Sequence, residues 1–220
     1  MLESGVIFTQ MKNTIHVPAQ KTADFFLPSH TVTWKQDLSH LKKSFSTAEL
    51  ELFLSLYELA SANPRKAKKK VEAFQKTHPT HPEVLNLLSY LYLILRKIRK
   101  GNKIIEENYR HNPDYLFAKI NYADLCLRKG NPQKIPEIFH QKLSLPELYP
   151  LKKMFHISEF RGFMTLMGHY HLAIGKTRAA ESYHYLAHRL DPHHPSTKQL
   201  EKKIYYIPFY KRLILKLFRR

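Results

Sequence analysis

A chain of 220 residues that is 43% hydrophobic is long enough to bury a sizeable core, and with only six glycines and frequent aliphatic runs it suits a helical protein. Lys and Arg outnumber Asp and Glu by 36 to 18, a formal charge of +18, which directs it toward nucleic acid, an anionic membrane surface or an acidic protein, with plain solubility as the bland alternative. Its one cysteine, Cys126, excludes an intrachain disulfide and a Cys-based zinc cluster, and fits a reducing compartment.

Residues 1–20 hold no basic start followed by a long apolar run, so no secretory signal and a cytoplasmic location are expected. The longest apolar run, 85–95, is interrupted by Asn86 and Ser89 and is too short to span a bilayer. Residues 1–32 mix Val6, Ile7, Phe8, Ile15 and Val17 with threonines and carry Pro18 and Pro28, the pattern of an extended arm with at most a short strand. Thr33-Trp34-Lys35-Gln36 reads as a capping box, followed by Trp34, Leu38, Leu41 and Phe45 at helical spacing; a second box, Ser46 to Glu49, starts the next helix.

A period then emerges. Pro79 and Pro113 are 34 residues apart, while Pro113 and Pro192 are 79 apart, two periods of 34 with eleven residues over. The first segment, 48–81, places Leu52, Leu54, Leu56 and Leu59 on one helix and Ala67, Val71 and Phe74 on a second. The second, 82–115, has Gly101 where a small helix residue belongs, so its second helix is expected to begin late, near Lys103. The third starts at Leu116 with Tyr122, Ala123, Cys126 and Gly130 well placed, but Pro136 falls inside its second helix and should kink or shorten it. The extra residues belong to a loop around Pro146 and Pro150. The fourth segment, 161–195, is the most regular: Met164, Met167-Gly168, His171, Gly175, Ala180, His184, Ala187 and Asp191-Pro192 are spaced as two antiparallel helices around a tight turn. Ser196 to Gln199 reads as a further capping box, opening a helix with Leu200, Ile204 and Tyr205 that covers the last repeat.

This pattern of large residue, Leu-Gly, aromatic, small residue and closing proline resembles the tetratricopeptide repeat, with Met in place of Trp and Leu and His in place of two aromatics. The resemblance implies an all-α fold. It would be a right-handed α-solenoid of about four degenerate helix-turn-helix repeats over 48–195, with an extended N-terminal arm and a C-terminal capping helix. Three regions follow: 1–45, arm and short amphipathic helix; 46–207, solenoid with its cap; 208–220, a basic amphipathic tail.

Repeats of this kind hold peptides in a concave groove lined by the first helix of each repeat. Carried over by alignment, the lining residues here are Leu52, Leu56, Asn86, Tyr90, Ile120, Asp124, Thr165 and His169. Leu52 and Leu56 stand where a carboxylate clamp would need Lys and Asn, so an apolar peptide is expected instead. One candidate is the arm itself, through Phe25-Phe26-Leu27. The basic runs 65–70, with Lys66, Lys68, Lys69 and Lys70, and 96–103 read as solvated faces or as a track for nucleic-acid phosphates, without the recurring polar code that base-by-base reading needs. The tail, with Phe209, Leu213, Leu217 and Arg219, reads either as a helix lying on an anionic membrane or as one packed on the solenoid end or a partner.

Among fourteen histidines, His171, His184 and His188 are the set that could approach a zinc ion, but no carboxylate or thiolate completes it, so no metal and no cofactor is expected. His193-His194 and His78 with His81 flank prolines and read as surface residues. A phosphate-binding glycine loop, a nucleophile elbow and HExxH are all missing, so the expectation is a non-enzymatic protein-binding adaptor, chaperone or assembly scaffold; the alternatives are an RNA-backbone binder and a peripheral membrane factor. The oligomeric state is open.

Overall fold

The computed structural model describes residues 9–11, 13–21 and 26–206. Within these, the arm is a set of short strands: β1 (Thr9–Met11), β2 (Thr14–Val17), β3 (Gln20–Lys21), β4 (Phe26–Leu27) and β5 (His30–Thr33). A later strand, β6 (Met154–His156), joins a sheet of order β1-β2-β5-β6, and β3 pairs antiparallel with β4, Gln20 opposite Leu27. The rest is mostly helical. The helices are α1 (Ser39–Ser44), α2 (Thr47–Ala62), α3 (Pro64–Thr77), α4 (Pro82–Ile94), α5 (Ile98–His111), α6 (Leu116–Arg128), α7 (Ile135–Ile138), α8 (Leu145–Leu148), α9 (Ile157–Ala173), α10 (Thr177–Leu190) and α11 (Pro195–Ile204). They divide between two compact units, one of 10–15 with 33–142 and one of 16–32 with the chain from Leu143 onward.

In the 33–142 unit, α2 begins where expected. Ser46 Oγ accepts from Glu49 N–H at 3.3 Å while the Glu49 carboxylate accepts from Ser46 N–H at 2.9 Å, a reciprocal cap that satisfies two orphan donors. Asn63 ends α2 and caps α3, its Oδ1 accepting from Lys66 N–H at 3.0 Å, with Pro64 in the first turn. Phe53, Leu56, Val71, Phe74, Val84, Leu88 and Leu91 of α2, α3 and α4 share one core, closed by Leu41 and Phe45 from α1 and its end. Phe45 stacks on His81 at 4.3 Å, so His81, expected at the surface, is a packing residue.

Several boundaries differ from the sequence reading. Thr33 closes β5 and its Oγ1 donates to Asn13 O at 3.1 Å, so it caps nothing, α1 starts only at Ser39, and Trp34 is exposed. Helix α5 starts at Ile98 rather than near Lys103. Gly101 lies inside it because a Cβ there would meet Leu93 Cδ2 at 2.8 Å; the small residue marks where α4 and α5 touch. The second helix of the third repeat is reduced to a 3-10 turn at Pro132–Lys134 and the single turn of α7, with Pro136 in its first turn.

In the other unit, the inserted residues form α8 and β6 rather than an open loop. Helix α9 starts four residues before Arg161, capped by His156, and packs on α10. At Gly168 a Cβ would meet Leu200 Cδ2 of α11 at 2.4 Å, so the small residue admits α11. The box expected at Ser196 to Gln199 is absent: His194 is the cap of α11, and Ser196 lies within it.

One turn recurs. After α4, Lys97 N–H reaches back to Tyr92 O; after α6, Asn131 N–H to Cys126 O; after α9, Lys176 N–H to His171 O, at 2.8, 2.9 and 2.8 Å. Each is the six-residue closure that puts its penultimate residue in the left-handed region. A fourth follows α7, Gln141 N–H to Pro136 O at 2.8 Å. Gly130 and Gly175 occupy the left-handed position in two turns, at φ 75° and 77°; in the others Arg96 and His140 do so, at φ 58° and 50°.

Candidate interaction surfaces

Six of the eight residues aligned to a groove lie in the 33–142 unit, and they divide by burial. Leu52 on α2 is 46% exposed and Tyr90 on α4 is 50% exposed. Half-buried Asn86 accepts from Asn121 Nδ2 of α6 at 2.7 Å. Asp124 accepts from Arg128 Nε at 2.8 Å, and that guanidinium also donates to Asn102 Oδ1 at 3.2 Å. Leu56 and Ile120 are buried and offer no surface, Leu56 because it belongs to the core shared by α2, α3 and α4. In the other unit Thr165 is buried too, its hydroxyl donating back to Arg161 O at 2.9 Å, and His169 is half-buried. Leu56, Ile120 and Thr165, assigned to the lining by alignment, thus face the interior, because spacing along a helix does not fix which side a neighbour covers.

In the same unit, Tyr57 O–H donates to Glu83 at 3.1 Å and His40 Nε2 lies 3.2 Å from the same carboxylate. Burial would raise the Glu83 carboxyl, but the hydrogen bonds from His40, Tyr115 and Tyr57 outweigh it and hold it below the usual range. Burial and the facing Glu83 push the Tyr57 phenol well up. The carboxylate therefore ties α1, α2 and α4 together as an anion.

The two basic runs, far apart in sequence, meet in space. Arg65, Lys68 and Lys69 of α3 and Ile94, Leu95, Arg96 and Lys97 of the α4–α5 turn line a cleft of about 550 Å³. Of the four lysines singled out from the sequence, Lys68 and Lys69 line it, while Lys66 and Lys70 are exposed outside it. A chain of contacts fixes the two walls: Tyr92 O–H of α4 donates to the Glu72 carboxylate of α3 at 2.7 Å, and Lys68 Nζ pairs with it at 3.1 Å. Burial and that hydrogen bond push the Tyr92 phenol up to about 12. Sequence reading could not join the runs because nothing local records that the hairpin brings residue 65 to residue 96.

In the arm, Leu27 is fully buried and Phe26 half-exposed on the β3–β4 hairpin; Phe25 lies outside the described residues. So do Phe209, Leu213, Leu217 and Arg219 of the tail. His171 stacks on Tyr183 at 5.2 Å, whereas His184 lies against His188 and Tyr205. No three His, Cys, Asp or Glu side chains among the described residues are grouped to hold a metal ion. No helix among them is long and apolar enough to cross a membrane.

No protein-family profile matches the chain, and no curated protein sequence matches it. Among solved structures it is similar to MamA 41-end from Desulfovibrio magneticus RS-1, at 11% identity and a TM-score of 0.46 over 76% of this chain and 95% of that one. It is also similar to the MamA RS-1 ArsTM double mutant, at 12% identity and a TM-score of 0.45 over 71% of this chain and 92% of that one. Scores of this size assign neither a family nor a partner.

Proposed function

We propose that the chain is a non-enzymatic helical-repeat scaffold that holds a segment of another protein against the first helices of its repeats. The observation that carries this is the exposure of Leu52 and Tyr90, large apolar residues on α2 and α4, in a unit whose α4 and α6 also carry the paired amides of Asn86 and Asn121 and the Asp124–Arg128 pair. Single exposed apolar side chains are ordinary. Two on successive first helices, in a unit that also carries polar side chains on α4 and α6, supply the apolar and hydrogen-bonding groups from which protein interfaces are built. The formal charge of +18 steers acidic segments toward it.

Tagged protein carrying Leu52→Asp with Tyr90→Ala, captured from its native cells under gentle washes, is expected to retain about tenfold less of the partner held by the natural sequence, with its melting temperature unchanged. Equal retention of the same partner by both sinks this reading. Membrane attachment through residues 208–220 is a separate proposal, motivated by their basic, apolar composition. It requires that deleting them abolish binding to anionic vesicles.

A further inference from the structure

We propose that the cleft between the start of α3 and the α4–α5 turn is a binding site for a compact polyphosphate anion. It is independent of the protein-binding surface above.

Five cationic side chains, Arg65, Lys68, Lys69, Arg96 and Lys97, converge on this cleft of about 550 Å³. Glu72 is the acidic partner of Lys68, and among the described residues Arg65, Lys69, Arg96 and Lys97 make no ion pair. So dense a cluster is self-repelling unless an anion sits in it.

Neither α3 nor α5 has an acidic residue in its first turn; Arg65 lies in the first turn of α3 and Lys97 is the N-cap of α5, and both line the cleft. Cations there oppose the positive end of the helix dipole, at about 0.3–1 kcal/mol each, whereas an anion would gain from both. Arg96, moreover, holds a left-handed backbone at φ 58°, in the turn position filled by Gly130 and Gly175 after α6 and α9.

Shape sets the ligand class. The Tyr92–Glu72–Lys68 chain holds the walls together, so the cations are arranged before any ligand arrives. Ile94, 41% exposed, and Leu95 give the cleft an apolar lining that lowers the local dielectric and strengthens each phosphate contact. The volume suits a small molecule. Lys66 and Lys70 lie outside the cleft, and a nucleic-acid backbone would have to engage them too.

The test is calorimetric titration of the full chain with inorganic tripolyphosphate at physiological salt. Saturable one-to-one binding is expected. It should weaken about tenfold or more in Lys69→Glu/Lys97→Glu and stay within about twofold in Lys66→Glu/Lys70→Glu, which changes net charge equally but outside the cleft. The natural sequence should also melt at a higher temperature with tripolyphosphate, a readout that needs no variant to fold. Equal weakening in both variants, or absence of both binding and thermal shift, overturns the proposal. So does binding only to single-stranded oligonucleotides with affinity rising with length, which would assign the charge to nucleic acid. Vesicles separate the sources of a confirmed ligand: cleft-dependent binding to phosphoinositide but not phosphatidylserine vesicles marks a lipid headgroup, and tripolyphosphate binding without vesicle binding marks a free anion.

Discussion

Arg96 shows how one backbone angle separates a residue needed for folding from one needed for binding. At φ 58° it strains a turn that its glycine counterparts, Gly130 and Gly175, make freely. Replacing it by glycine is expected to stabilise the fold by about 1 kcal/mol, read from urea unfolding, while weakening tripolyphosphate binding. A destabilised variant would mean that the arginine side chain contributes more than its backbone costs. Gly168 shows the limit of reading residues singly. Its smallness predicted a close helix approach, which exists; only the packing reveals that the neighbour is Leu200 of α11.

At the scale of elements, the caps divide what was legible from what was not. Ser46 and Glu49 form their box because both partners lie within four residues, and the second Glu49 oxygen is left to pair with His78 at 3.3 Å. The pairs expected at Thr33 and Ser196 fail, one because β5 takes the threonine and the other because an imidazole takes the role. His194 Nδ1 accepts from Ser196 N–H at 3.2 Å to start α11, and His156 Nδ1 accepts from Ser158 N–H at 3.3 Å to start α9. The shared His-x-Ser spacing was visible in the sequence, although histidine is seldom weighed as a cap. His194→Ala should therefore destabilise the fold by about 1 kcal/mol and His194→Asn should restore most of it, measured by thermal unfolding at neutral pH. Equal loss in both variants would assign the histidine's contribution to packing instead.

For the whole molecule, the His194 cap is part of a wider dependence on neutral imidazole. Burial lowers the pKa of His30, His81, His184 and His194, with Arg161 adding to the effect at His194 and Asp191 opposing it. Folding therefore favours the uncharged ring at each. Their contribution is fully present above the unfolded value of about 6.5 and is lost as pH falls through their lower folded values. Glu49, Glu72 and Glu83, all held low, lose their contribution only in the more acidic carboxylate range. The urea midpoint should thus hold steady from about pH 8 to 7 and decline between about pH 6.5 and 5. A midpoint unchanged across that lower window would show that these rings are protonated equally in both states.

The sequence by itself determined the helices of its regular hairpins and the 34-residue spacing that relates them. Those follow from local rules: apolar period, capping pairs, and prolines that either end a helix or open its first turn. It also determined that Pro136 would shorten its helix, which ends as the single turn of α7. Only the tertiary structure decided that the arm would form strands, that Leu56 and Ile120 would turn inward while Leu52 and Tyr90 face solvent, and that two basic runs would close on one cleft. Each of these depends on contacts between residues far apart in sequence. A strand needs its partner strand, and a helix face has no inside until a neighbour covers it. Arg65 and Arg96 carry no sign of each other until α3 and α4 pack.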